Sequence, residues 1–145
     1  DPSQSPDYFH YTPENSRRFR ALPSWFTLMA YGKEGYREII ERNCAAAKYF
    51  GELIERSGGF RLLAPVRMNV VCFTFSEEIQ RQEDIRIFLQ AVRDDGRVFF
   101  TPTVYKGTPA IRAAIANWLT KNEDMELAVE VLSSVLHRIR TVSTP

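Results

Sequence analysis

The segment Asn69-Val70-Val71-Cys72-Phe73-Thr74-Phe75 constrains this chain most. Its β-branched and aromatic side chains favour a strand, yet the stretches on either side read as helices. Residues 33–56 put Tyr36, Ile39, Ile40, Ala47, Phe50 and Ile54 on one stripe, and Ser57-Gly58-Gly59 closes that run as a helix C-terminus does. Residues 79–94 repeat the pattern with Ile85, Phe88, Leu89 and Val92. A strand held between amphipathic helices has to bury a face against them, which points to an α+β fold.

The remaining segments extend this layout. A first helix over 16–31, N-capped by Ser16, carries Phe19, Leu22, Phe26 and Ala30. Pro23 predicts a kink or break between Phe19 and Pro23, and Gly32 ends the run. Residues 60–63 read as a short strand turned by Ala64-Pro65. Residues 97–105 and 110–116 read as strands joined by a hairpin turn at Lys106-Gly107-Thr108. Thr120-x-x-Glu123 resembles a capping box for a last helix over 122–140, striped by Leu127, Val131, Val135 and Ile139. The expected architecture is two leading helices and a small three- to four-stranded antiparallel sheet with helices packed on one face. Residues 1–15, rich in Pro, Ser and Asp around Tyr8-Phe9-His10-Tyr11, read as a connector, and residues 16–145 as one domain.

Composition excludes several functions. Nineteen basic residues against eighteen acidic ones give a net charge of +1, without the basic stripe that releases counterions from a nucleic acid. The apolar runs fall short of a membrane span, and the polar opening carries no signal-peptide pattern. Cys44 and Cys72 lack metal-ligand spacing, so a reduced, cytoplasmic protein without a metal site is expected.

Few residues suggest chemistry. His10 and His137 stand apart from any nucleophile and read as structural or solvent-facing. Glu77-Glu78 and Glu123-Asp124 stand at helix starts, where negative charge complements the dipole. Gly58-Gly59 follows a helix instead of opening one, so it is no phosphate loop. Arg112 is the less ordinary position. Strand alternation puts Ile111, Ala113 and Ile115 on one face and Ala110, Arg112, Ala114 and Ala116 on the other. An arginine among methyl-sized neighbours is either a solvated surface charge or a guanidinium with open space for a carboxylate or phosphate. Arg17-Arg18-Phe19-Arg20 sets cations against a helix N-terminus, which hints at an acidic or carbonyl partner elsewhere.

The order of motifs resembles a known family. Ser16-Arg17-Arg18-Phe19-Arg20-Ala21-Leu22-Pro23-Ser24-Trp25-Phe26, then Tyr31-Gly32-x-x-Gly35-Tyr36, looks like the opening of the small domain in group II pyridoxal-phosphate amino-acid decarboxylases. The strand from Asn69 to Phe73, and the stretch from Phe99-Phe100-Thr101-Pro102-Thr103 through Ala110-Ile111-Arg112-Ala113-Ala114 to Asn117-Trp118, resemble the family's central strand and closing hairpin. Ser16 stands where Gly is common, and Leu119 where many relatives have Arg.

This resemblance implies a fold-type I small domain from a lyase that is a homodimer, with residues 1–15 leading from a large domain. It implies pyridoxal 5'-phosphate as cofactor of the full-length enzyme, and no cofactor bound by this piece alone. The catalytic lysine, which follows a histidine in the family, is absent: none of Lys33, Lys48, Lys106 and Lys121 follows His. Arg112 matches an arginine that meets the substrate carboxylate, Thr103 and Tyr105 shape the mouth of that site, and Arg17 and Arg18 hold the small domain against the large one. The competing readings are a stand-alone interaction or small-ligand module without catalysis, and another fold-type I enzyme.

Overall fold

Local signals set where each element starts and stops, and several differ by a few residues from the sequence reading. The computed structural model describes residues 11, 18–77 and 81–142. Its elements are α1 (Leu22–Arg56), β1 (Phe60–Leu62), β2 (Val70–Phe75), α2 (Gln82–Asp95), β3 (Thr101–Tyr105), β4 (Thr108–Ala114) and α3 (Asn122–Val142). The chain divides into two units that meet in sequence between Arg37 and Glu38. The expected N-cap Ser16 and the 15/16 boundary lie outside the described residues.

In the first unit, α1 begins at Leu22, so Pro23 occupies its first turn. There the missing proline N–H costs no helical hydrogen bond. The kink expected at this point is therefore the start of the helix. Phe19 turns the chain into it with φ 63°, and its carbonyl accepts the Leu22 N–H at 2.9 Å. Gly32, at φ 61° and ψ −168°, then breaks α1 in a conformation open essentially to glycine alone. The two leading helices are thus the limbs of α1 on either side of Gly32. The break brings the Tyr36 hydroxyl to 3.5 Å from the Ser24 carbonyl.

The second unit is an antiparallel sheet of order β1-β2-β4-β3 covered by helices on one face. Val71, Phe73 and Phe75 of β2 and Ile111 and Ala113 of β4 point into one apolar cluster. Against them pack Ala46, Ala47, Phe50 and Ile54 of α1, Ile85, Phe88, Leu89 and Val92 of α2, and Val131, Leu132 and Val135 of α3. Ile40, placed on the α1 stripe by its spacing, is 51% exposed instead. Gly51 lets α1 approach the β1–β2 connection closely, because a Cβ there would stand 2.8 Å from Val66 Cγ2.

Strand limits follow from identifiable contacts. β3 does not begin at Arg97, because Arg97 is tied back to the end of α2 by bonds from Nε and Nη2 to the Asp95 carboxylate at 2.7 and 3.1 Å. Lys106 and Gly107, at φ 48° and 83°, make a two-residue turn of the primed kind. That turn pairs Tyr105 directly with Thr108, so β4 starts two residues earlier than the sequence reading had it. At α3 the Lys121 N–H donates to Asp124 Oδ2 at 2.8 Å, one residue on from the expected Thr120 and Glu123 pair. Glu77 precedes α2 and pairs with Arg140 at 3.1 Å, so it does not cap that helix, and Glu78 lies outside the described residues.

Tyr49 on α1 donates to Glu126 Oε1 on α3 at 2.7 Å. This hydrogen bond raises the phenol above its ordinary value of 10.0, with burial adding to the effect. A folded-state value raised in this way stabilises fully below the unfolded phenol value, and the contribution is lost as pH rises through the folded one. Stability measured by urea melts should therefore fall more steeply above pH 10 in the native chain than in Tyr49→Phe. Parallel profiles would show that this link contributes nothing.

Candidate functional site

The sheet face away from the helices carries the polar side chains. Strand alternation places Val70, Cys72 and Thr74 of β2, Ala110, Arg112 and Ala114 of β4, and Thr101, Thr103 and Tyr105 of β3 on it. Arg112 pairs with Cys72 on one side and Thr101 on the other, so it stands mid-row across three strands. Its neighbours along β4 on this face, Ala110 and Ala114, offer only methyl groups. None of the four strands contains an aspartate or glutamate, and their only other cation is Arg61. The exposed guanidinium therefore has no acidic partner within the sheet. Burial pushes the Cys72 thiol up from 9.0, which keeps it neutral beside that charge.

Hydroxyl groups frame the arginine. Thr101 Oγ1 lies 3.4 Å from the Arg112 carbonyl oxygen. The buried Thr74 donates to the Pro109 carbonyl at 2.9 Å, which pins β2 against β4 one row away. Thr103 pairs with Ala110 and is thus a diagonal neighbour of Arg112, at about 7–8 Å. Tyr105 shares the face but stands about 13 Å along the strand from Thr101, at the hairpin tip. Of the residues singled out from sequence, then, Arg112 and Thr103 come together and Tyr105 is more distant. Arg18 is exposed in the first unit, and Arg17 lies outside the described residues.

A cavity of about 790 Å³ opens beyond the end of β4. Phe99, Phe100, Leu119 and Met125 form its apolar wall, and Ala114 joins it to the Arg112 face. At its rim, Arg97 also reaches Glu130 Oε1 at 3.3 Å. The hydrogen bond from Arg97 holds the Asp95 carboxyl below the usual carboxylate range. Sequence reasoning missed this cavity, whose lining comes from four separate stretches. It also missed Thr101, although counting back from the Lys106-Gly107 turn places Thr101 opposite Arg112. The Cys72 pairing has no such local signal.

Chemically, the face presents a planar cation, hydroxyls and a neutral thiol, a set suited to binding a carboxylate by charge-assisted hydrogen bonds. Among the described residues no group of three or more His, Cys, Asp or Glu side chains is placed to hold a metal ion.

Comparison with known proteins gives this arrangement a context. The family model described as the pyridoxal-dependent decarboxylase conserved domain matches residues 2–76, about half of the chain. The aromatic-L-amino-acid decarboxylase of Drosophila simulans is 35% identical over 130 residues, covering 90% of this chain and 25% of that protein. Tyrosine decarboxylase 4 of Petroselinum crispum is 36% identical over 134 residues, covering 87% of this chain and 26% of that protein. The chain therefore spans about a quarter of the length of these relatives. The crystal structure of Oryza sativa TDC with PLP and tryptamine superposes with a TM-score of 0.74 at 23% identity, covering 92% of this chain and 30% of that one. At that identity the likeness is one of fold. The family match crosses from the first unit into the second as far as the end of β2, and this chain belongs to the pyridoxal-dependent decarboxylase family.

Proposed function

We propose that this chain is the carboxy-terminal part of a pyridoxal-phosphate-dependent amino-acid decarboxylase, a carboxy-lyase whose substrate is an aromatic amino acid. In this reading residues 16–145 are a fold-type I small domain that closes and orients the active site of a cytoplasmic homodimer. Arg112 meets the substrate carboxylate, with Thr103 beside it and Tyr105 at the mouth. The observation that carries the reading is the exposed guanidinium at the centre of a sheet face whose strands hold no carboxylate. The aromatic substrate class rests on the names of the relatives, which act on aromatic amino acids and tyrosine.

Among the described residues of the second unit, no lysine lines the cavity beside the Arg112 face. Lys48, Lys106 and Lys121 are exposed on three different segments of that unit. The Lys106 ammonium lies 5.6 Å from the centre of its neighbour Tyr105's ring. The contribution assigned to this chain is thus positional: it holds a carboxylate in one orientation and helps to exclude water.

The test is carbon dioxide release by the full-length protein, supplied with pyridoxal phosphate, from L-tyrosine, L-tryptophan and L-glutamate. Turnover of the aromatic substrates with formation of the matching amines is expected. Turnover of glutamate alone would sink the aromatic assignment, and no release from any amino acid would sink the decarboxylase reading.

A further inference from the structure

The first limb of α1 is too apolar for a surface helix. No residue from Ala21 to Gly32 is charged. Leu22, Trp25, Phe26, Leu28, Met29 and Tyr31 are all exposed, from 39% for Leu22 to 68% for Met29. At about 100° per residue these six side chains spread over about 220° of the helix circumference, roughly twice the stripe of an ordinary amphipathic helix. Phe19, just before the helix, is 78% exposed.

We infer that this limb is a core helix of the full-length protein, enclosed on most of its sides by the part of the polypeptide that lies outside this chain. The inference rests on the reading of the chain as one part of a longer decarboxylase, and it names the element by which that part is engaged. Three observations favour this occupant. A two-fold contact with a second copy would cover one stripe of the helix, whereas the apolar arc here needs a groove built from several elements. A helix lying on a membrane surface keeps a strongly charged face outward, and the narrow back of this one, formed by Pro23, Thr27 and Ala30, offers only Thr27 as a polar side chain. The range of the family match, residues 2–76, includes the helix, in a chain that spans about a quarter of its relatives.

Hydrogen exchange of the full-length protein, combined with acrylamide quenching of Trp25, tests this directly. Amides over 22–31 should exchange at least about 100-fold more slowly than the unprotected rate at every protein concentration, with Trp25 shielded. Exchange at the unprotected rate would overturn the inference. Protection that appears only as subunits associate would assign the helix to a second copy instead. Protection that requires vesicles of phosphatidylserine and phosphatidylcholine would assign it to a lipid surface. Carbon dioxide release assayed on the same samples separates the two readings. A shielded helix without activity keeps the enclosure and sinks the decarboxylase, while activity with an open helix does the reverse.

Discussion

Replacing Arg112 with alanine in the full-length protein should lower kcat/KM for an aromatic amino acid about 100-fold, which is about 2.7 kcal/mol of transition-state binding. Charge-assisted hydrogen bonds contribute about 1.5–3 kcal/mol each, and the exposure of the free guanidinium sets the expectation at the lower end for a two-pronged contact. Stability should change by less than about 0.5 kcal/mol, because no described residue depends on the Arg112 side chain for a partner and the position is exposed. Arg112→Lys keeps the charge but loses the planar fork, so it should recover only part of the activity. The aromatic amine product carries no carboxylate, and its affinity should be the same in all three proteins. Equal losses of activity and thermal stability would make Arg112 a structural residue. Weakened binding of the amine would place its role somewhere other than carboxylate recognition.

What the sequence disclosed depended on whether the controlling interaction was local. The α2 stripe of Ile85, Phe88, Leu89 and Val92 is buried as its spacing requires, because a helix repeats the same geometry at every turn. The alternation around Arg112 was legible for the same reason, as was the hairpin turn at Lys106-Gly107. Tertiary contacts set what could not be read. Arg97 is drawn to Asp95 and Glu130, which shortens β3. Cys72 reaches Arg112 through a pairing of strands separated by all of α2. Pro23 was misplaced by a purely local ambiguity, since a proline reads as a break inside a helix and as a favourable start in its first turn. For the site, the sequence supplied the arginine and its small neighbours. The absence of a carboxylate from the sheet became meaningful only once the strand order was known.

The largest stability effect is expected at Phe73. Its ring is fully buried and meets Phe50, Phe60 and Phe100 with centroids 5.8, 5.7 and 6.0 Å away. Phe60 continues the cluster to Phe75 and Phe88, so Phe73 joins rings from α1, β1 and the segment before β3. Truncation to alanine removes contacts on three sides that the stiff sheet cannot close up, and should cost about 3–5 kcal/mol. That is a large part of the roughly 5–15 kcal/mol that holds a typical domain together. The urea midpoint should fall with little change in slope, and Phe73→Leu should lose less than half as much. A loss below about 1 kcal/mol would mean that the neighbouring rings collapse into the space. Phe73 also pairs across the sheet with Ile111, the residue before Arg112. In the full-length protein its truncation should therefore reduce activity as well, but for a different reason. Cooling or a stabilising ligand should recover turnover in Phe73→Ala by restoring the folded population, and should recover none in Arg112→Ala, where the fold is intact and the charge is gone.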